Sequence, residues 1–152
     1  MVDGYNAIHC LPDFRHILQR DLDLARQRFS DWVRRIHDQE HIRLSVVFDG
    51  NQQQIQIERP TGDTSYSIIY SPQGSTADAV IEQLFQQTKD RDEITVVSED
   101  HLIVESIRSG GGLALHPNTL TEWVNACQTQ QYQAAPYRKA KSSPFTNRID
   151  IP

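Results

Sequence analysis

The chain has 152 residues and a formal net charge of −5, with 38% hydrophobic and 23% charged residues. That length suffices for one domain with a real core, and the composition excludes a wholly disordered chain. The basic excess common in nucleic-acid binders is missing, no apolar run reaches the length of a membrane span, and the first residues hold no secretory h-region. Cys10 and Cys127 have no second Cys or His at metal-finger spacing, so free thiols without a disulfide partner, in a reducing cytoplasmic compartment, are expected.

The chain opens on Met1-Val2, then Asp3-Gly4-Tyr5-Asn6. Met1 and Val2 alone are short for a central strand, which usually runs about five or six residues. Either that strand is clipped or the true start lies upstream. Asp-Gly is ordinary turn chemistry, but an acid at a strand's carboxyl end in an open α/β sheet points into the ligand crevice. Pro12 and Asp13 suit a helix entry, and Leu18, Leu22, Ala25, Phe29, Val33 and Ile36 continue one apolar stripe to about Gln39. Arg26, Arg28, Arg34 and Arg35 lie largely off that stripe and read as a solvated face.

Leu44-Ser45-Val46-Val47-Phe48 reads as a buried parallel strand closed by Asp49-Gly50, with a short strand at Ile55 to Glu58 as the next candidate. Tyr66 to Tyr70 is another strand, leading to Ser75-Thr76-Ala77-Asp78 and a helix with Val80, Ile81, Leu84 and Phe85 on one face. Ser75 or Thr76 suits the N-cap, and a first-turn Asp78 is favoured by the helix dipole whether or not it does chemistry. Ile94 to Val97 is a third clear strand, ending in Ser98-Glu99-Asp100. A helix then runs until Gly110-Gly111-Gly112, which reads as a mobile loop; without a following Gly-Lys-Ser/Thr it is no phosphate cradle. Leu113 to Leu115 suits a last strand, and a helix from about Thr119 to Cys127 should pack Trp123 and Val124 on the sheet. We divide the chain into a domain over 1–127 and a polar, mildly basic tail over 128–152.

Strands alternating with helices predict an α/β fold with a mostly parallel sheet covered on both faces. Right-handed crossovers bring Asp3, Asp49, Asp78 and Asp100 to one sheet edge. Two such charges about 4 Å apart repel by about 1 kcal/mol in water and more where partly buried, so cations or bound protons must compensate. All-carboxylate ligands suit Mg²⁺ or Mn²⁺, and such centres suit phosphodiester hydrolysis.

Val2-Asp3-Gly4-Tyr5-Asn6, Val47-Phe48-Asp49, Thr76-Ala77-Asp78 with Ile81-Glu82, and Val96-Val97-Ser98-Glu99-Asp100 resemble, in order, the motifs of the YacP-like branch of NYN domains, PIN-like metal-dependent ribonucleases. The resemblance spans residue 2 to about 127. It implies a three-layer PIN-like (Rossmannoid) fold, Mg²⁺ or Mn²⁺ as cofactor, and endonucleolytic cleavage of single-stranded or messenger RNA, with the ribosome as a partner. It places the metal on Asp3, Asp49, Asp78 and Asp100, all counted catalytic, with Asn6 positioning water or phosphate. Ser75 stands where the family often has Glu, and Glu99 where it often has Ser; we expect Glu99 to face solvent.

Tyr5 suits base stacking and core packing equally. Arg138, Lys139 and Lys141 are the tail's candidate RNA contacts. His9 and His101 fall near the acidic turns, but metal-activated water needs no imidazole base. His16, His37, His41 and His116 show no ligand spacing, and Cys10 has no evident His/Asn partnership for a thiol nucleophile. Two rival readings remain: a non-catalytic RNA- or ribosome-binding module on the same fold, and a signalling receiver that phosphorylates an Asp. The receiver should carry a Lys after its last strand, and none stands near Leu113 to Leu115.

Overall fold

Leu44–Phe48 is buried at every position, as its uninterrupted apolar, β-branched sequence requires of a central parallel strand. It is β2 of a six-stranded sheet in the computed structural model, which describes residues 1–129. The remaining strands are β1 (Val2–Asp3), β3 (Gln56–Glu58), β4 (Tyr66–Tyr70), β5 (Thr95–Val97) and β6 (Leu113–Leu115). Their order is β3-β4-β2-β1-β5-β6, with only β3 antiparallel to its neighbour. Short as it is, β1 lies between β2 and β5, with Val2 opposite both Val46 and Val97.

The strand period of two sends alternate side chains to opposite faces. Val46, Phe48 and Ile68 join one apolar cluster with Ala7, Ile8, Phe29, Val33, Trp123 and Val124. These come from α1 (Gly4–Cys10), α3 (Leu22–Glu40) and α6 (Asn118–Thr129), with α2 (Pro12–Leu18) packed outside. Val47, Ile69 and Val96 join the opposite cluster with α4 (Ala77–Gln87) and α5 (His101–Ser109). The expected three layers are therefore present, with Trp123 and Val124 buried against the sheet.

Three local expectations are corrected. The Asp3-Gly4 turn is the start of α1, and Gly4 serves close approach rather than a left-handed turn. A Cβ there would stand 2.3 Å from the buried Phe48 ring. Gly4→Ala should therefore lower stability by about 1–3 kcal/mol through overpacking, measurable as a lower urea midpoint at unchanged slope. Second, the stripe from Pro12 to Gln39 is two helices. Asp21 adopts extended backbone and accepts the Leu24 N–H at 3.0 Å, capping α3 instead of continuing α2. Third, Gly110-Gly111-Gly112 is a built helix end rather than an open loop. Gly111 takes φ +95°, the Gly112 N–H donates to the Ile107 carbonyl at 2.9 Å, and Gly110 and Gly112 leave no room for a Cβ beside Phe85.

Candidate metal centre at the carboxyl edge of the sheet

The parallel strands β1, β2, β4, β5 and β6 end on one edge, where Asp3, Asp49, Ser71, Ser98 and His116 stand at or just beyond the last strand residues. Asp3 is the innermost. It is 5% exposed, sits on the central strand, and its carboxylate accepts from the Ser98 hydroxyl at 3.3 Å and from the Asn6 backbone N–H. The Asp78 side chain is hydrogen-bonded to it. Burial above all, then the bond to and charge of Asp78, push the Asp3 carboxyl up to about 8, against the opposing pull of Ser98 and Asn6. Without a cation, this pair holds a proton near neutrality.

Asp78 reaches Asp3 because α4 begins at Ala77, after Thr76 caps it by accepting the Ala79 N–H at 3.1 Å. Of the two expected N-caps, Thr76 is the one used. Asp49 joins the same helix start: its Oδ1 accepts the Ala77 N–H at 2.7 Å, while the rest of the side chain is exposed. Asp100 is the N-cap of α5, its Oδ1 accepting from Leu102 N at 2.9 Å and Ile103 N at 3.3 Å. Ser98 ties it to the centre, since its hydroxyl also accepts the Asp100 N–H at 3.1 Å.

Two of the four aspartates are thus in direct contact, and two are engaged at helix N-termini on the same edge. Among the described residues, no three of these aspartates bring carboxylate oxygens within 4.8 Å of one another. Asp49 and Asp100 satisfy helix N–H groups, which their place at strand ends does not by itself imply. The donor set nevertheless fits a hard divalent cation. A buried carboxyl that retains a proton beside a second carboxyl is a place where a cation can displace that proton, and all available donors are oxygens.

Asn6 presents its Oδ1 to the Glu99 N–H at 2.7 Å, so its amide NH₂ is the end left to donate toward a ligand. Tyr5 is half-buried. Its ring packs edge-on to Phe48 at 4.9 Å, and its hydroxyl accepts from Arg26 Nη1 at 3.2 Å. Arg26, read from the sequence as part of a solvated face, also lies over the Tyr70 ring at 5.5 Å and pairs with Asp23. Tyr5, Arg26, Tyr70, Asp49, Asn51 and Gln52 line a groove of about 460 Å³ that opens beside Asp49. Nothing in the spacing of Arg26 distinguished it from its neighbours; its role emerges only when α3 crosses α1 and β4.

Ser98 and Glu99 complete the list of residues the sequence undervalued. Glu99 is exposed, as expected, yet it is held: the Cys10 thiol donates to its Oε2 at 2.8 Å, and His116 Nε2 is 3.9 Å from its Oε1. Burial, then the adjoining Glu99, push the Cys10 thiol up to about 12, which removes it as a nucleophile near neutral pH. Ser75, in place of the family's usual acid, offers its carbonyl to the Ser71 hydroxyl at 3.3 Å. His9 and His101 are exposed. Arg138, Lys139 and Lys141 lie outside the described residues. No described helix is long and apolar enough to cross a membrane, and Cys10 and Cys127 form no disulfide.

A family model described as the YacP-like NYN domain matches residues 1–150. Two solved structures are similar. One is Rae1 (YacP) from Bacillus subtilis, at 23% identity and a TM-score of 0.69, covering 93% of this chain and 80% of that one. The other is its W164L mutant, at 19% identity and a TM-score of 0.68, covering 97% and 91%. No functionally curated protein matches the chain. The similarity to these structures shows that the three-layer fold is the PIN-like one expected from the sequence motifs.

Proposed function

Because the chain belongs to the YacP-like NYN domain family, whose fold is that of PIN-like nucleases, we propose that it is a metal-dependent endoribonuclease. The observation that carries this reading is the buried Asp3 carboxyl held against Asp78 at the carboxyl edge of the central strand. Asp3 and Asp78 would hold Mg²⁺ or Mn²⁺, with Asp49 and Asp100 adjoining from the starts of α4 and α5. When bound, such an ion polarises a phosphoryl oxygen and makes water acidic enough to supply the nucleophile.

The chain's own groups would position the RNA. Asn6, fixed by its bond to Glu99 N, turns its NH₂ toward the attacking water or a phosphate oxygen. Arg26 meets the backbone from its place over the Tyr70 ring, while Tyr5 gives the groove an aromatic surface on which a single-stranded base stacks. Ser98 holds Asp3 and the Asp100 backbone together. In-line attack by water, rather than by the ribose 2′-hydroxyl, leaves a 5′-phosphate and a 3′-hydroxyl. Single-stranded RNA is the substrate class, with messenger RNA on the ribosome the proposed setting in the cytoplasm.

Incubation with end-labelled single-stranded RNA tests this directly. Cleavage in Mn²⁺ but not in EDTA, yielding those two ends, is the expected result. Binding without cleavage in any divalent ion would favour the non-catalytic module, a reading motivated by the helix-capping roles of Asp49 and Asp100. Arg26→Ala should raise KM roughly fivefold to tenfold with kcat largely retained, and flatten the salt dependence of RNA binding by about 0.7 in log–log slope. An unchanged salt slope would remove Arg26 from the RNA path.

A further inference from the structure

We propose that Cys10, Glu99 and His116 form a second metal site, selective for a borderline ion of the Zn²⁺ class and chemically distinct from the aspartate centre. Their ligand atoms all lie within 4.8 Å of one another, and they are the one such trio of His, Cys, Asp or Glu among the described residues. A tetrahedral ion with bonds of about 2.0–2.3 Å separates its ligand atoms by roughly 3.3–3.8 Å, close to the spacings already present.

The three residues come from separate, well-anchored places. Cys10 ends α1, Glu99 lies in the turn between β5 and α5, and His116 directly follows β6, which is paired to β5. The backbone around them is pinned: Glu99 N donates to Asn6 Oδ1 at 2.7 Å, and the Asn118 N–H donates to His116 Nδ1 at 3.1 Å. In that second bond Nδ1 accepts, so the proton of the neutral ring sits on Nε2, 3.9 Å from Glu99 Oε1; coordination through Nε2 would move that proton to Nδ1 and replace the Asn118 bond. Arg15, whose Nη1 donates to the His9 carbonyl, is the neighbouring cation; Glu99 and, further off, Asp3 outweigh it around the thiol.

The donor set decides the ion. A thiolate and an imidazole with one carboxylate suit Zn²⁺ and not Mg²⁺, whereas the Asp3–Asp78 pair offers oxygen alone. Three protein ligands, with Glu99 and His116 side chains 58% and 47% exposed, leave a fourth position open to water. Binding would displace the thiol proton now shared with Glu99 into solvent. Its structural consequence is a clip from α1 to the turn that delivers Asp100. The sequence hid the trio because its members are 89 and 17 positions apart and match no ligand spacing.

Titration of the full, reduced chain with Co²⁺, followed by absorption, reads this site without reference to RNA cleavage. A thiolate-to-cobalt charge-transfer band in the near-ultraviolet should appear and saturate at one equivalent. Stoichiometric Zn²⁺ should bleach it, and a large excess of Mg²⁺ should not. Cys10→Ser should abolish the band and His116→Gln should weaken Co²⁺ binding at least about tenfold, each with an unchanged melting temperature in EDTA. Asp78→Asn should leave the band intact, which separates this site from the aspartate centre. No band in the parent, or a band of full strength in Cys10→Ser, would overturn the proposal.

Discussion

Asp78→Asn should lower Mn²⁺-dependent RNA cleavage by about 10²–10³-fold while making the metal-free protein more stable. The first effect follows from removing one of the two carboxylates in direct contact at the centre. The second is a contest of magnitudes. As a first-turn acid of α4, Asp78 gains about 0.3–1 kcal/mol from the helix dipole, and Asn forfeits that. Against this stands its repulsion of the buried Asp3, worth about 1 kcal/mol even at the dielectric of water and several times more where water is largely excluded. Repulsion wins at pH 8, where Asp3 is losing its proton. A gain of about 1 kcal/mol corresponds to roughly 2–4 °C in melting temperature for a chain of this size. The stabilisation that Mn²⁺ gives the parent should disappear in the variant. A lower melting temperature in EDTA together with full cleavage activity would assign Asp78 to the helix and end the nuclease reading of this pair.

Much of this edge was legible before any coordinates. Leu44–Phe48 and Tyr66–Tyr70 are strongly patterned strands, and both begin and end where the hydrophobic runs do. Asp3 at a strand end, Thr76 as a cap and Asp78 in the first turn are local facts, so local reasoning reaches them. What local reasoning missed depends on contacts between distant elements. Gly4 looked like a turn residue because its partner, the Phe48 ring, arrives from another strand. The triple glycine looked open because Phe85, which fills the space beside it, lies on α4. Asp49 and Asp100 looked interchangeable with Asp3, yet helix N–H groups claim their oxygens while Asp3 is left with a carboxyl neighbour. Arg26, Cys10 and His116 acquire meaning only through residues far along the chain.

The pH dependence of stability should run opposite to that of an ordinary surface aspartate. In the fold the Asp3 carboxyl is raised to about 8, chiefly by burial and then by Asp78, whereas in the unfolded chain it ionises near 4. Between those values the folded protein holds a proton that the unfolded chain has released, so stability falls as pH rises. The contribution is fully present below about pH 4 and is lost on passing through about pH 8. Other groups titrate in the same window, so the informative quantity is the difference between the parent and Asp3→Asn, both in EDTA. From pH 8 to pH 5 the parent should gain on the order of 2–4 kcal/mol relative to the variant, or about 5–10 °C in relative melting temperature. Mn²⁺ should reverse the sign, because it competes with that proton: its stabilisation of the parent should grow with pH, reaching about 2.7 kcal/mol at a hundred times its Kd. Asp3→Asn should show neither the slope nor the Mn²⁺ effect. Parallel pH profiles for the two proteins, with equal stabilisation by Mn²⁺, would mean that Asp3 is an ordinary solvated carboxylate and that the cation binds elsewhere.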